Sequence, residues 1–121
     1  MKDLLLLTND AAEWDSWRAL SPEEARHLRQ AEMPRWNELF GWIAEQGLDV
    51  NGIELDDPDK ARVIRAHDGE TVVTDGPYAE TKEVVGGYFV IDCDNLDQAI
   101  ELAQRVPVAT TGSVEIRPFV Q

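Results

Sequence analysis

The chain is poor in cysteine and histidine and has no long apolar run. Among its 121 residues Cys93 is the only cysteine, so no disulfide can form within the chain, as suits a reducing compartment. Its two histidines, His27 and His67, fall in no CxxC or HxxxH spacing, so no bound metal is expected. The apolar run Leu4 to Leu7 is too short for the core of a secretion signal and gives way to Asn9 and Asp10. Nothing approaches the roughly 20 apolar residues that span a bilayer. A cytoplasmic location and no membrane partner are expected. Basic residues are also scarce. Eleven Lys and Arg stand against 24 Asp and Glu, a formal net charge of −13, and such a surface repels phosphate backbones. No nucleic-acid partner is expected. P-loop, dinucleotide and Gly-x-Ser-x-Gly fingerprints are absent, and Gly86-Gly87 is too short to cradle a phosphate. That glycine pair suits close strand approach or a bulge, and no cofactor is expected.

What is present fits one domain over residues 1–121, with an ordinary hydrophobic fraction of 43%. Leu4 to Leu7 reads as a buried strand. Ser21-Pro22-Glu23-Glu24 opens a helix: Ser21 caps, Pro22 takes the first turn and Glu24 completes a capping box. Pro34 predicts a kink or a fresh helix start. Beyond it Trp36, Leu39, Phe40, Trp42 and Ile43 form an apolar face that stops at Gly47. Leu48 to Leu55 alternates as a half-buried strand, and Asp68-Gly69 between β-rich runs predicts a hairpin. Gly86 to Asp92 reads as a buried strand, Asn95 or Asp94 caps a short helix, and Ser113 to Phe119 closes the chain as a strand.

Setting the hairpin aside leaves strand, helix, strand, strand, helix, strand. This is the order of an α+β, ferredoxin-like split βαβ fold with an inserted β-hairpin. Both helices of that fold cover one sheet face. Leu4–Leu7 and Tyr88–Ile91 are nevertheless apolar on both sides of their strands, so the second face needs a cover, and another copy of the sheet supplies it. A homodimer is expected. Trp14 and Trp17, in an acidic stretch, are candidates for the dimer seam or a partner surface.

The polar loop from Thr74 to Glu83 is the expected functional centre. Asp75 is either an Asx-turn cap or a general acid–base group at the mouth of a cleft between sheet and hairpin. Gly76 and Pro77 supply turn geometry. Tyr78 either packs at a rim or donates to a ligand. Lys82 is the cation of the loop. With Arg65 and Arg117 on strands, it is a candidate to hold a small anionic ligand, against the alternative that all three form ion pairs.

The segment Val73-Thr74-Asp75-Gly76-Pro77-Tyr78-Ala79-Glu80-Thr81-Lys82-Glu83 resembles the signature of the YCII-related family, in its DGPF-domain branch, with Tyr78 in place of the final phenylalanine. The likeness continues through Arg65–Glu70, Gly86–Asp92, Asp97–Ile100 and Ser113–Pro118. It implies a ferredoxin-like fold assembled as a dimeric α/β barrel. Some members resemble partners of extracytoplasmic-function sigma factors, which implies a regulatory or interaction module. Distant relatives are dehydrochlorinase- or isomerase-like enzymes with a His–Asp pair, which implies cofactor-independent proton transfer. Aligning Pro34 and Gly47 with the first helix of those relatives puts Trp36 where they carry the histidine.

Overall fold

The structure, a computed structural model, describes residues 1–76 and 82–121. Strand β1 (Lys2–Asp10) leads through helix α1 (Ala11–Arg18) into the long helix α2 (Pro22–Gln46). Strands β2 (Asp49–Glu54), β3 (Arg62–His67), β4 (Glu70–Asp75) and β5 (Glu83–Asp92) follow, then helix α3 (Leu96–Arg105) and strand β6 (Ser113–Pro118). Short 3₁₀ turns occupy Pro58–Lys60 and Pro107–Thr110.

Four strands form one antiparallel sheet in the order β2-β5-β1-β6, so the two strands richest in apolar residues lie at its centre. With α2 preceding β2 and α3 preceding β6, this arrangement is compatible with a ferredoxin-like fold. Strands β3 and β4 pair in a sheet of their own. Their turn, Asp68-Gly69, has φ of 50° and 80°, the double positive φ of a type I′ turn. Most hairpin side chains are exposed, including the cross-strand pair Ile64 and Val73.

Alternation assigns the faces of the main sheet. Leu5, Leu7, Phe89 and Ile91 are buried against Leu39 of α2 and Ala99, Leu102 and Ala103 of α3. Leu4, Leu6, Tyr88 and Val90 project from the other face and are only half-buried. Register jumps from Leu7 opposite Gly87 to Thr8 opposite Val85, which leaves Gly86 as the extra residue of a bulge.

Helix α2 carries the capping box expected of Ser21 and Glu24 and ends on Gly47 in the left-handed region, at φ 65°. It does not stop or restart at Pro34. Proline there removes the donor for the Gln30 carbonyl. Both residues are exposed, so water can satisfy that carbonyl while packing around Leu39 holds the helix together. Helix α1 is an addition to the sequence reading. It buries no residue, so it has no apolar stripe to reveal it, and it starts because the Asp10 carboxylate accepts from the Ala12 amide at 3.0 Å. Strand β2 is less covered than its alternation suggests, with only Val50 half-buried.

Candidate functional site

A cleft of about 490 Å³ lies between α2 and the helix-covered face of the sheet. Its wall on α2 is the series Arg29, Met33, Trp36 and Phe40, at spacings of four, three and four, which line one stripe of a helix. Leu7, Gly52, Gly87 and Phe89 form the floor, and Pro107, Val108 and Thr111 close one end. Trp14 and Trp17, one turn apart on α1, form the opposite wall.

Two glycines make room for these rings. A Cβ on Gly52 would overlap the Phe89 ring, so β2 has glycine where Phe89 lies against it. A Cβ on Gly86 would come within 3.3 Å of Trp14 Cζ2, so the bulge is also the place where α1 settles on the sheet. The Trp36 ring lies 6.3 Å from Phe89 and 6.1 Å from Phe40, centroid to centroid, within the range of tilted aromatic contacts.

The polar groups are sparse and unevenly paired. Arg29 places its guanidinium 5.5 Å from the Trp17 ring centroid and reaches the Glu54 carboxylate at 3.0 Å. Arg35 donates to the Pro107 carbonyl at 3.3 Å. Glu13 and Glu32 also line the cleft, and neither pairs with a cation among the described residues. The buried Trp14 Nε1 and Asn9 Oδ1 atoms have no hydrogen-bond partner among the described residues.

Helix α1 is held by charge as well as by the half-buried Trp14 and Trp17. Arg18 donates Nε and Nη2 to the two Asp57 carboxylate oxygens at 2.8 and 2.6 Å, and its Nη1 reaches Asp15 at 2.8 Å. Asp59 lies 3.2 Å from the same guanidinium. The Arg18 hydrogen bonds, aided by the Asp59 amide, hold the Asp57 carboxyl down to about 2. Because that value is depressed on folding, the stabilisation is present above the usual carboxylate range and disappears as pH falls towards 2. Acidification over that interval is therefore expected to release α1 and red-shift the Trp14 and Trp17 emission. Asp57→Asn should show the red-shifted spectrum already at neutral pH; a variant spectrum identical to wild type would remove Asp57 from this role.

Of the loop and strand residues singled out in the sequence as site candidates, those that the structure describes do not line this cleft. Asp75 ends β4 with its side chain 87% exposed, 3.4 Å from Arg62 Nε, and is not among the cleft-lining residues. Gly76 has a clear backbone reason: its amide donates to the Ala61 carbonyl at 2.8 Å, and an added Cβ would come within 2.6 Å of the Ala61 methyl. Pro77 and Tyr78 lie outside the described residues. Lys82 is exposed, and its carbonyl accepts from the Ala11 amide at the start of α1 at 2.7 Å. Arg65 is exposed on β3, and Arg117 pairs with Glu115 at 3.0 Å on the open face of the sheet. His27 and His67 are exposed beside Glu23 and Asp68. Burial first, then the neighbouring Asp3 carboxylate, push the Cys93 thiol up. No group of three or more His, Cys, Asp or Glu among the described residues could hold a metal ion, and none of their helices is long and apolar enough to cross a membrane.

The cleft was legible only in part. Trp36 and Phe40 lie on the apolar face expected of α2; Trp36 packs against the core, and both also line the cleft. No hairpin residue lines this cavity, so it is not the cleft expected between sheet and hairpin. Trp14 and Trp17 stand out in the sequence, but nothing there places them on a helix.

Comparison with known proteins adds a family and no activity. Residues 21–121 match the model of the YCII-related domain. An uncharacterized protein of Rhizobium meliloti strain 1021 is 48% identical over 61 residues. That stretch covers 49% of this chain and 49% of the other, so the match spans about half the length of the curated relative.

Proposed function

The chain belongs to the YCII-related family, and from that premise we propose that it is a small-molecule binding protein whose ligand occupies the cleft between α1, α2 and the sheet. The observation that carries this reading is the lining. About 490 Å³ is within the size range of small-molecule pockets, and apolar and aromatic walls with a few polar groups are their usual chemistry. Trp14, Trp17, Trp36 and Phe40 offer ring faces to an apolar or aromatic body. A cofactor-independent enzyme would use the same pocket, with Glu13 as the half-buried carboxylate placed to move a proton.

Tryptophan fluorescence titration with a panel of aromatic and aliphatic acids, amines and alcohols tests this directly. Trp36→Ala is expected to weaken any ligand so found by about tenfold or more, because a large aromatic at the centre of a site carries much of its affinity. Asp75→Asn is expected to leave that affinity within about twofold. A loss with Asp75→Asn and none with Trp36→Ala would return the site to the loop at Thr74–Glu83. Absence of any ligand would favour a protein-interaction module, for which the acidic surface is the motivation.

We further propose that the chain is of the DGPF-type branch and pairs as a dimeric α/β barrel, sheet against sheet. Support comes from Leu4, Leu6, Tyr88 and Val90, which leave the centre of the open face apolar and only half-buried. Such a face is costly to leave in water. Leu6→Glu, directly opposite Tyr88 and Glu115, is expected to yield folded monomers in sedimentation at micromolar concentration where wild type sediments as a dimer. A monomeric wild type would end the dimer proposal.

A further inference from the structure

We propose that the guest of this cleft is an organic cation: an apolar or aromatic body with one ammonium or guanidinium group, seated over the Trp17 ring and against the Glu54 carboxylate. The inference rests on the cleft being a ligand site and adds the sign of the ligand's charge and the seat of its head group.

The seat already holds a cation of the protein's own. Arg29 stacks its guanidinium over Trp17 and bonds both Glu54 oxygens through one nitrogen, at 3.0 and 3.1 Å. A ring face beside a carboxylate is the arrangement that recognises organic ammonium groups. Arg29 is a replaceable occupant, since its side chain is 60% exposed and lies on a long flexible stem that can swing into water. Once it does, Trp17 and Glu54 are left facing the cleft without a counter-ion.

Charge around the cavity points the same way. Both cations of the lining are engaged, Arg29 by Glu54 and Arg35 by the Pro107 carbonyl. Glu13 and Glu32 have no cation among the described residues, so the charge left over for a guest is negative. Glu13 is also half-buried beside Trp14, where its attraction for a cation is screened less than on the open surface. The net charge of −13 adds a long-range field that gathers cations and repels anions. Lys82, Arg65 and Arg117, the cations suited to an anionic ligand, do not line this cavity.

Three probes sharing one ring test the assignment by calorimetry: phenethylammonium, 2-phenylethanol and phenylacetate. Phenethylammonium is expected to bind tightest, by about fivefold over the neutral alcohol. Arg29→Ala, an exposed change to a strong helix former, should tighten phenethylammonium about fivefold by emptying its seat. Glu54→Gln should weaken phenethylammonium about threefold and leave the alcohol unchanged. Tightest binding of phenylacetate, abolished by Arg29→Ala, would overturn the cation and leave the cleft as a ligand site. Ammonium binding indifferent to Glu54→Gln would overturn the seat. If none of the probes binds wild type or Arg29→Ala, the cleft reading and this inference fall together.

Discussion

Gly112→Ala is expected to destabilise the protein by about 3 kcal/mol or more and to lower its melting temperature by about 10 °C. Gly112 turns the chain out of Pro107–Thr110 into β6, and its amide donates to the Val108 carbonyl at 2.7 Å. A Cβ there would overlap the Thr8 carbonyl oxygen and lie 2.8 Å from Asn9 Oδ1. The obstacle is backbone, and it belongs to β1, which is paired along both edges. Moving Thr8 would disturb both ladders at once, so neither side can relax cheaply. Thermal unfolding followed by circular dichroism reads the effect. A variant melting within about 1 °C of wild type would mean that this corner is looser than its geometry.

Asp3→Val should move stability the other way, by about 1–3 kcal/mol. Asp3 lies on the core-facing side of β1 with Leu5 and Leu7, is fully buried, and neither of its oxygens has a partner among the described residues. Burying an unsatisfied carboxyl costs more than burying an apolar side chain, and valine suits a central strand. Asp3→Asn, close in shape, should recover less because it still buries a polar group without partners. Urea unfolding of the three proteins ranks them, and a valine variant less stable than wild type would show that the carboxyl contributes a favourable interaction. If the gain is found, Asp3 is kept for something other than stability, as buried unsatisfied groups in natural proteins often are.

Much of the fold was legible because it rests on local rules. The Ser21 and Glu24 capping box, the Gly47 stop, the Asp68-Gly69 hairpin turn and the Gly86 bulge each follow from chemistry confined to a few residues. The errors came where a distant group decides. Pro34 breaks an isolated helix, but exposure of Gln30 and burial of Leu39 let α2 continue. Helix α1 has no fully buried residue, so periodicity could not find it; Arg18 reaching 39 residues ahead to Asp57 helps to fasten it. The cleft was missed for a related reason. Trp36 and Phe40 follow core spacing, and Trp36 does pack against the core; it takes Trp14 and Trp17 from a distant helix to complete the cavity beside it. The family resemblance seen in the loop at Asp75 extends to the domain match over residues 21–121, yet no described residue of that loop lines the cleft.

Holding a wall of the cavity by one guanidinium has a kinetic consequence. Helix α1 has no fully buried residue, and its half-buried Trp14 and Trp17 are its main apolar cover, so it can detach without general unfolding. Its amides should exchange with solvent far faster than those of β1 or β5, at a rate that rises with salt as the Arg18 contacts are screened. The rate of that local opening would then set how fast the cavity fills and empties, while the rings of α2 set how tightly a guest is held.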